Sequence, residues 1–241
     1  MSGHSKWTQI KHKKAITDAK KGKLFSKMVR EITIAAKLGG PSDSNPRLRG
    51  ALERARASGL PKDNIERAIT KATGGNGAVD LHEFLLEALG PGGIQILIEG
   101  ITDNTNRTFA EVRHLLSERD ARLAEPGSVS WNFEKIGIIA LSKNDNAAKS
   151  KDEIELAIIE SGARDFSSSD EEWIVETDFS ESERVRKALE EKGAVIKETG
   201  HDFKPKNSAT PDEKTLHTLE SLLDAITDHD DVQEVYTNLA E

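Results

Sequence analysis

Residues 136–199 decide the fold of this chain, and they read IGIIALSKNDNAAKSKDEIELAIIESGARDFSSSDEEWIVETDFSESERVRKALEEKGAVIKET. Short apolar and β-branched runs alternate there with polar turns, which is typical of strands. Four strands are predicted, at residues 136–141, 164–168, 173–179 and 194–199. Two helices lie between them, each beginning at a capping box, Ser150-x-x-Glu153 or Ser180-x-x-Glu183. The order βαββαβ is that of a ferredoxin-like domain.

Residues 76–133 predict a smaller α/β pattern before this stretch. Two apolar runs, 84–88 and 94–98, form a hairpin around the glycine-rich turn GPGG at 90–93. A helix with one apolar face then ends at Ser117. Alternation of apolar and polar residues over 127–133 predicts a further short strand.

The tail of the chain predicts one helix and one strand. Thr210 is placed as the N-cap of a helix with an apolar stripe of leucines, and residues 231–238 form the strand. One helix and one strand cannot bury their apolar faces alone. We therefore expect 206–241 to pack against 76–133, with 134–205 inserted between the two halves.

Residues 1–75 predict a small helical domain. Apolar residues recur at helical spacing from Lys23 to Leu38, after Pro46 and after Pro61. The predicted fold is therefore α+β and multidomain, with a helical N-terminal domain followed by two α/β domains, the last ferredoxin-like and inserted in the other. The predicted domains are 1–75, 76–133 plus 206–241, and 134–205.

Charge is distributed unevenly along the chain. The net charge of the whole chain is −8. Residues 1–75, the predicted helical third, carry 17 of the 34 Lys and Arg residues and 6 of the 42 Asp and Glu residues, which gives this third a net charge of +11. The remainder carries −19. Such asymmetry indicates that the basic end meets a polyanion. The chain has no cysteine, which excludes disulfides and thiolate metal sites.

The basic residues of this third are the candidate nucleic-acid-binding residues. Lysine and arginine neutralise phosphates, a tryptophan can stack on an unpaired base, and histidines add donors. The candidates are His4, Lys6, Trp7, Lys11, His12, Lys13, Lys14, Lys20, Lys21, Lys23, Lys27, Arg30, Arg47 and Arg49. A disordered solubilising tail or a solvated helix face is the alternative interpretation. Further positive charge at Arg54, Arg56, Lys62, Arg67 and Lys71 favours a binding face.

Several motifs in the first 131 residues identify a family resemblance. They are GHSKW at 3–7, IKHKK at 10–14, DAKKGK at 18–23, NPRLR at 45–49, PKDNIERAI at 61–69, GPGG at 90–93, TDNTNRT at 102–108 and GSVSW at 127–131. In these stretches the chain resembles the YebC family. The resemblance implies a helical first domain and two α/β domains. It also implies a regulator of gene expression, since bacterial members are described as transcriptional regulators and mitochondrial relatives as translation activators.

A second candidate site is the polar stretch before the predicted helix that ends at Ser117. Asp103, Asn104, Asn106 and Arg107 could form a functional loop, although asparagine at such a position is usually a helix cap. His229-Asp230-Asp231 lacks further ligands at metal spacing and is interpreted as a solvated loop. No catalytic residues, metal or cofactor are predicted, so the chain is not expected to be an enzyme.

The function expected from the sequence is nucleic-acid binding through the basic N-terminal domain. A DNA-binding transcriptional regulator is one form, and a translation factor bound to ribosomal RNA is the alternative. The acidic C-terminal domains are expected to contact proteins. A cytoplasmic location is expected, because residues 1–14 lack an apolar signal core and no run approaches the ~18 apolar residues of a membrane span.

Overall fold

Within the described residues of the N-terminal part, three helices pack into a bundle. The structure is a computed structural model that describes residues 18–39, 44–74 and 80–240, with side chains from residue 21 onward. The helices are α1 (Asp18–Lys37), α2 (Pro46–Ala57) and α3 (Lys62–Thr73). Small side chains such as Ala51 and Ala55 let them approach closely around Ile32, so the core is thin.

Two four-stranded antiparallel sheets follow the bundle. Their elements, in chain order, are β1 (His82–Leu89), β2 (Gln95–Thr102), α4 (Thr105–Ser117), β3 (Arg122–Leu123), β4 (Phe133–Ser142), α5 (Lys151–Glu160), β5 (Asp165–Ser168), β6 (Glu172–Asp178), α6 (Ser182–Glu191), β7 (Glu198–Pro205), α7 (Glu213–Thr227) and β8 (Val232–Thr237).

The first sheet has the order β3-β1-β2-β8. Alternate side chains of β1 and β2 point to one face, where α4 and α7 pack on them. Ile96 and Ile98 meet Val112 of α4 and Leu219 of α7 in this core. The tail strand β8 pairs with β2, so the helix and strand of the tail share a core with residues of 76–133. The domain boundaries given above stay a prediction.

The second sheet has the order β5-β6-β4-β7. Counted within its own stretch of chain, the order is 2-3-1-4 with antiparallel neighbours, which is the arrangement of the split βαβ motif. Its helices α5 and α6 cover one face, where Ile158 and Leu189 pack on Ile139 and Val175. The predicted fold class is confirmed.

The strand predicted at 127–133 is wrong. This segment forms turns and a short 3₁₀-helix at Ser130–Asn132, and β4 begins only at Phe133. The backbone N–H groups of Gly127, Val129 and Ser130 donate to the carboxylate of Glu87 at 2.5–2.9 Å. These bonds replace a strand ladder and leave the Trp131 side chain 57% exposed.

Three predicted boundaries also differ from the structure. The Ser150-x-x-Glu153 capping box is confirmed at α5, but Ser180 does not cap α6, because a 3₁₀ turn at Phe179–Glu181 intervenes. Asp212, two residues after Thr210, accepts the capping hydrogen bond of α7 from the Thr215 N–H. The strand predicted at 194–199 begins later, as β7.

Replacing Glu87 by glutamine is expected to lower the free energy of unfolding by about 2 kcal/mol. Burial raises the pKa of Glu87, but the three backbone N–H donors outweigh burial and lower it. The neutral amide accepts these bonds more weakly and turns an N–H₂ group toward N–H donors. The check is urea unfolding followed by circular dichroism, with the exposed Glu125→Gln as control. Equal midpoints for both variants and the wild type would contradict the role given to Glu87.

Candidate nucleic-acid interface

The predicted nucleic-acid-binding residues fall into three groups in the structure. The first group lies outside the described residues and comprises His4, Lys6, Trp7, Lys11, His12, Lys13 and Lys14. Lys20 lies on the first turn of α1, but its side chain is also outside the described part. The second group contacts other parts of the chain. The third group is exposed and faces solvent.

Three basic residues of α1 bind the end of α7 and the loop after it. Lys23, Lys27 and Arg30 lie on one face of α1 because they are spaced by four and three residues. Lys23 Nζ donates to the Asp228 carbonyl at 2.9 Å, and Lys27 Nζ donates to the Thr227 carbonyl at 2.6 Å. Carbonyls at a helix C-terminus lack intrahelical donors and carry the negative end of the helix dipole. This face of α1 therefore holds the bundle against the first sheet.

The predicted arginines of α2 also bind acidic groups of the α/β part. Arg47 forms a two-pronged ion pair with Glu83 of β1, which raises the pKa of Arg47. Arg49 lies 3.4 Å from Glu183 of α6. A third arginine, Arg54, is bound by Glu31 and by the carbonyl of Thr199 on β7. Helix α2 is thus tied to both sheets by charged contacts.

The cations that stay exposed lie elsewhere on the bundle. Lys21 is exposed, with its ammonium 5.6 Å from the ring centre of Phe25. The side chains of Arg56, Arg67 and Lys71 are exposed and form no hydrogen bond or ion pair with another described residue. Arg67 and Lys71 are four residues apart and share a face of α3. Of these four, only Lys21 belongs to the candidate set predicted from the sequence.

A buried carboxylate, Asp231, joins the bundle to the first sheet. Its side chain is 3% exposed and receives the guanidinium groups of Arg30 and Arg107. Burial favours the protonated acid and so raises the pKa of Asp231. Hydrogen bonds from Thr108 and Arg107, together with the charge of Arg30, outweigh burial and lower this pKa to about 2. The interpretation of this segment as a solvated loop is therefore wrong for Asp231.

A glycine allows the Asp231 loop to reach β2. A Cβ on Gly100 would lie 2.3 Å from the Asp231 carbonyl oxygen and 2.2 Å from the Phe84 ring, so no larger residue fits. The same carbonyl accepts the Ile101 N–H at 2.8 Å. The close approach places the Asp231 carboxylate 3.0 Å from the hydroxyl of Thr102.

The polar stretch before α4 is part of this junction. Asn104 is the N-cap of α4 and accepts the Arg107 N–H at 3.1 Å. Asp103 holds the Arg107 guanidinium, which also binds Asp231. Asn106 is exposed. Asn104 therefore caps a helix, and Asp103 and Arg107 belong to the junction between the bundle and the first sheet. A functional role for this loop stays a prediction.

The described residues offer no metal site or membrane span. No group of three or more His, Cys, Asp or Glu side chains in ranges 18–39, 44–74 and 80–240 is placed to hold a metal ion. Within the same ranges, no helix has both the length and the apolar character to cross a bilayer.

Family models match nearly the whole chain. Residues 5–75 match the TACO1/YebC protein N-terminal domain, and residues 81–239 match the TACO1/YebC second and third domain. The chain belongs to the TACO1/YebC family. The probable transcriptional regulatory protein of Thermoanaerobacter pseudethanolicus is 43% identical over 99% of this chain and 97% of its own length. The probable transcriptional regulatory protein of Nitratiruptor sp. is 45% identical over 99% of this chain and 100% of its own length.

A solved structure has the same architecture. The crystal structure of a conserved hypothetical protein from Aquifex aeolicus is similar with a TM-score of 0.86 and 39% identity, covering 98% of this chain and 97% of that one. The two proteins share one arrangement of bundle and sheets along nearly their full lengths.

Several of the motifs that carry the family resemblance also make contacts within the fold. In the NPRLR motif, the Asn45 side chain caps α2 and donates to the carbonyls of Ala35 and Gly39. In the GPGG turn, Gly92 has a φ of +67°, and a Cβ there would lie 2.8 Å from Thr215 of α7. In the TDNTNRT motif, Asn104 and Arg107 make the contacts given above. The first motif stabilises the bundle, the second fits the turn of the first sheet against α7, and the third contributes Arg107 to the junction at Asp231.

Proposed function

We propose that the chain is a non-catalytic, cytoplasmic regulator of gene expression that binds nucleic acid through its basic N-terminal domain. The leading form of the proposal is a transcriptional regulator that binds DNA. The names of the bacterial relatives support a regulator of transcription. The contacting surface would comprise the basic segment from Lys6 to Lys21 and the exposed cations of α2 and α3.

The observation that carries the proposal is the division of the basic residues. Residues 1–75 have a net charge of +11. The cations that face the acidic body are bound by carboxylates or carbonyls, whereas Arg56, Arg67 and Lys71 are exposed without a described partner. Exposed cations without a partner break no ion pair within the protein when they bind phosphate, and the counterions released from the nucleic acid favour binding. The bundle can therefore bind the body and a polyanion at the same time.

A second candidate function is translation, through ribosomal RNA. The observation that favours it is the type of basic residue, since eight of the nine cations in the first thirty residues are lysines. Lysine is a point charge suited to phosphates, whereas readers of the major groove usually present Arg, Asn or Gln to base edges. This composition favours contacts with the phosphate backbone of the nucleic acid over recognition of its base sequence. An acidic body would orient the molecule on a large polyanion.

Crosslinking of the full-length protein in cells, followed by sequencing of the bound nucleic acid, tests the two forms. Recovery of promoter DNA supports the transcriptional regulator. Recovery of ribosomal RNA, together with co-sedimentation of the protein with ribosomes, supports the translation factor. Recovery of neither nucleic acid above a non-crosslinked control would contradict the proposal as a whole.

Substitution R67Q/K71Q is expected to weaken binding to duplex DNA and to make its salt dependence shallower. Two lost phosphate contacts should reduce the slope of log K against log salt by about 1.8, at about 0.9 per contact. The measurement is fluorescence anisotropy with a labelled duplex between low and moderate salt. The matched control is K187Q/K214Q, which removes two exposed cations of the acidic body. Equal slopes for the two double variants would count against a role for α3.

A further inference from the structure

One edge of the first sheet is open over most of its length. Strand β1 pairs with β2 from His82 to Leu89. On its other side, β3 pairs only with Ala88 and Leu89, and the Ala124 N–H adds one bond to the Glu87 carbonyl. No other described strand lies beside residues 82–86 on that side. Alternate backbone N–H and C=O groups there are directed outward and can pair with another strand.

A groove of about 460 Å³ runs beside this open edge. Helix α4 forms one wall with Phe109 and Arg113, and residues 121–126 form the other. Leu85 lines the groove with 43% of its surface exposed. Natural sheets usually protect an open edge with charges, proline or a covering element. Apolar side chains at an open edge are instead typical of a site that receives a peptide strand.

The charged groups of the groove favour an acidic partner. The side chains of Arg113 and Arg122 are exposed, and neither guanidinium forms a hydrogen bond or an ion pair with another described residue. Of the two acids that line the groove, Glu87 is occupied by three backbone N–H groups. Glu125 is the other. The other arginines of residues 80–240 each form an ion pair with an acid, so these two are the arginines available to a partner. They can bind a carboxylate with charge-assisted hydrogen bonds.

We propose that the open edge of β1 and this groove bind an extended peptide segment of a partner protein. The segment adds a strand to β1, inserts an apolar side chain beside Leu86 and Phe109, and directs an Asp or Glu to Arg113 and Arg122. Backbone pairing supplies affinity, and the alternate side chains supply specificity. Nucleic acid fits less well, because a strand edge offers alternating donors and acceptors that match a polypeptide backbone. Glu83 at the start of the edge is paired with Arg47 of the bundle, but no described residue of the bundle lines the groove. The site therefore adds a protein partner to the proposed function.

Selection from a displayed library of random decapeptides tests this site with the full-length protein as bait. The wild type should enrich peptides with alternating apolar residues and at least one acidic residue. The variant R113Q/R122Q should not enrich them, because both cations are lost. The control K187Q/K214Q should enrich the same peptides as the wild type. All substituted side chains are exposed, so equal thermal unfolding by circular dichroism is expected.

The most enriched peptide is then synthesised and measured by fluorescence anisotropy. R113Q/R122Q should weaken its binding on the order of tenfold. Methylation of alternate backbone nitrogens of the peptide should abolish binding, since a strand then loses its donors. Equal enrichment on the wild type and R113Q/R122Q, or equal binding of the methylated peptide, would overturn the proposal.

Two further outcomes identify a different occupant and would also overturn the proposal. Loss of duplex DNA binding in R113Q/R122Q, with peptide selection unchanged, would assign the groove to nucleic acid. A wild-type dimer in sedimentation that R113Q/R122Q converts to monomer would assign the edge to a second copy of the chain.

Discussion

Replacing Asp231 by alanine is expected to lower the free energy of unfolding by about 3–5 kcal/mol, the usual cost of removing one partner of a buried ion pair. The substitution leaves the guanidinium of Arg30 without its carboxylate at the junction of the bundle and the first sheet. It also removes the carboxylate oxygen that accepts the hydrogen bond of the fully buried Thr108 hydroxyl at 2.6 Å. Urea unfolding followed by circular dichroism measures the loss.

The same carboxylate predicts an acid-dependent loss of stability in the wild type. The pKa of Asp231 is lowered from 3.8 in the unfolded chain to about 2 in the folded protein. A lowered pKa means that the stabilisation is complete above about pH 4 and is lost as the pH falls through 2. The difference corresponds to roughly 2 kcal/mol. Asp231→Asn should lack this part of the pH dependence between pH 4 and pH 2.

Asp230→Asn is the matched control for both measurements. Its side chain is exposed, and Arg30 binds only its backbone carbonyl, at 2.7 Å. The control should unfold like the wild type at every pH. Equal losses in the Asp230 and Asp231 variants would show that charge in this loop, and not the buried ion pair, stabilises the junction.

The sequence predicted those parts of the fold that local signals determine. The capping box at Ser150 and the apolar periodicity of α5 lie within a few residues of each other, and both are correct. The alternation over 127–133 imitates a strand, but the acceptor for its N–H groups is Glu87, forty residues earlier. No local pattern reveals such a partner, so the segment was predicted as a strand.

The sequence could not separate the two kinds of basic residue. Lys23 and Lys21 belong to one charged run, yet Lys23 binds the end of α7 and Lys21 faces solvent. The one available signal was the spacing of Lys23, Lys27 and Arg30, which places three cations on a single helix face. Asp231 was missed for a related reason, because its partners come from residues 30, 102, 107 and 108 and meet only in the folded chain.

Neutralising five lysines of the basic segment is expected to have the largest effect on nucleic-acid binding. The variant replaces Lys11, Lys13, Lys14, Lys20 and Lys21 by glutamine. If each lysine contacts one phosphate of duplex DNA, the slope of log K against log salt falls in magnitude by about 4.5. At moderate salt this corresponds to a loss of affinity on the order of a thousandfold or more. Anisotropy titrations of a labelled duplex at several salt concentrations measure both quantities.

The choice of lysines separates binding from folding. Lys23 and Lys27 are left intact in the five-lysine variant, because their ammonium groups hold α1 on the carbonyls at the end of α7. A companion variant, K23Q/K27Q, should show the opposite phenotype, with a lower unfolding midpoint and nearly unchanged affinity of the folded protein for DNA. A five-lysine variant that binds DNA like the wild type would remove the basic segment from the interface. If K23Q/K27Q loses affinity for DNA without losing stability, the face of α1 that carries Lys23 and Lys27 belongs to the DNA interface.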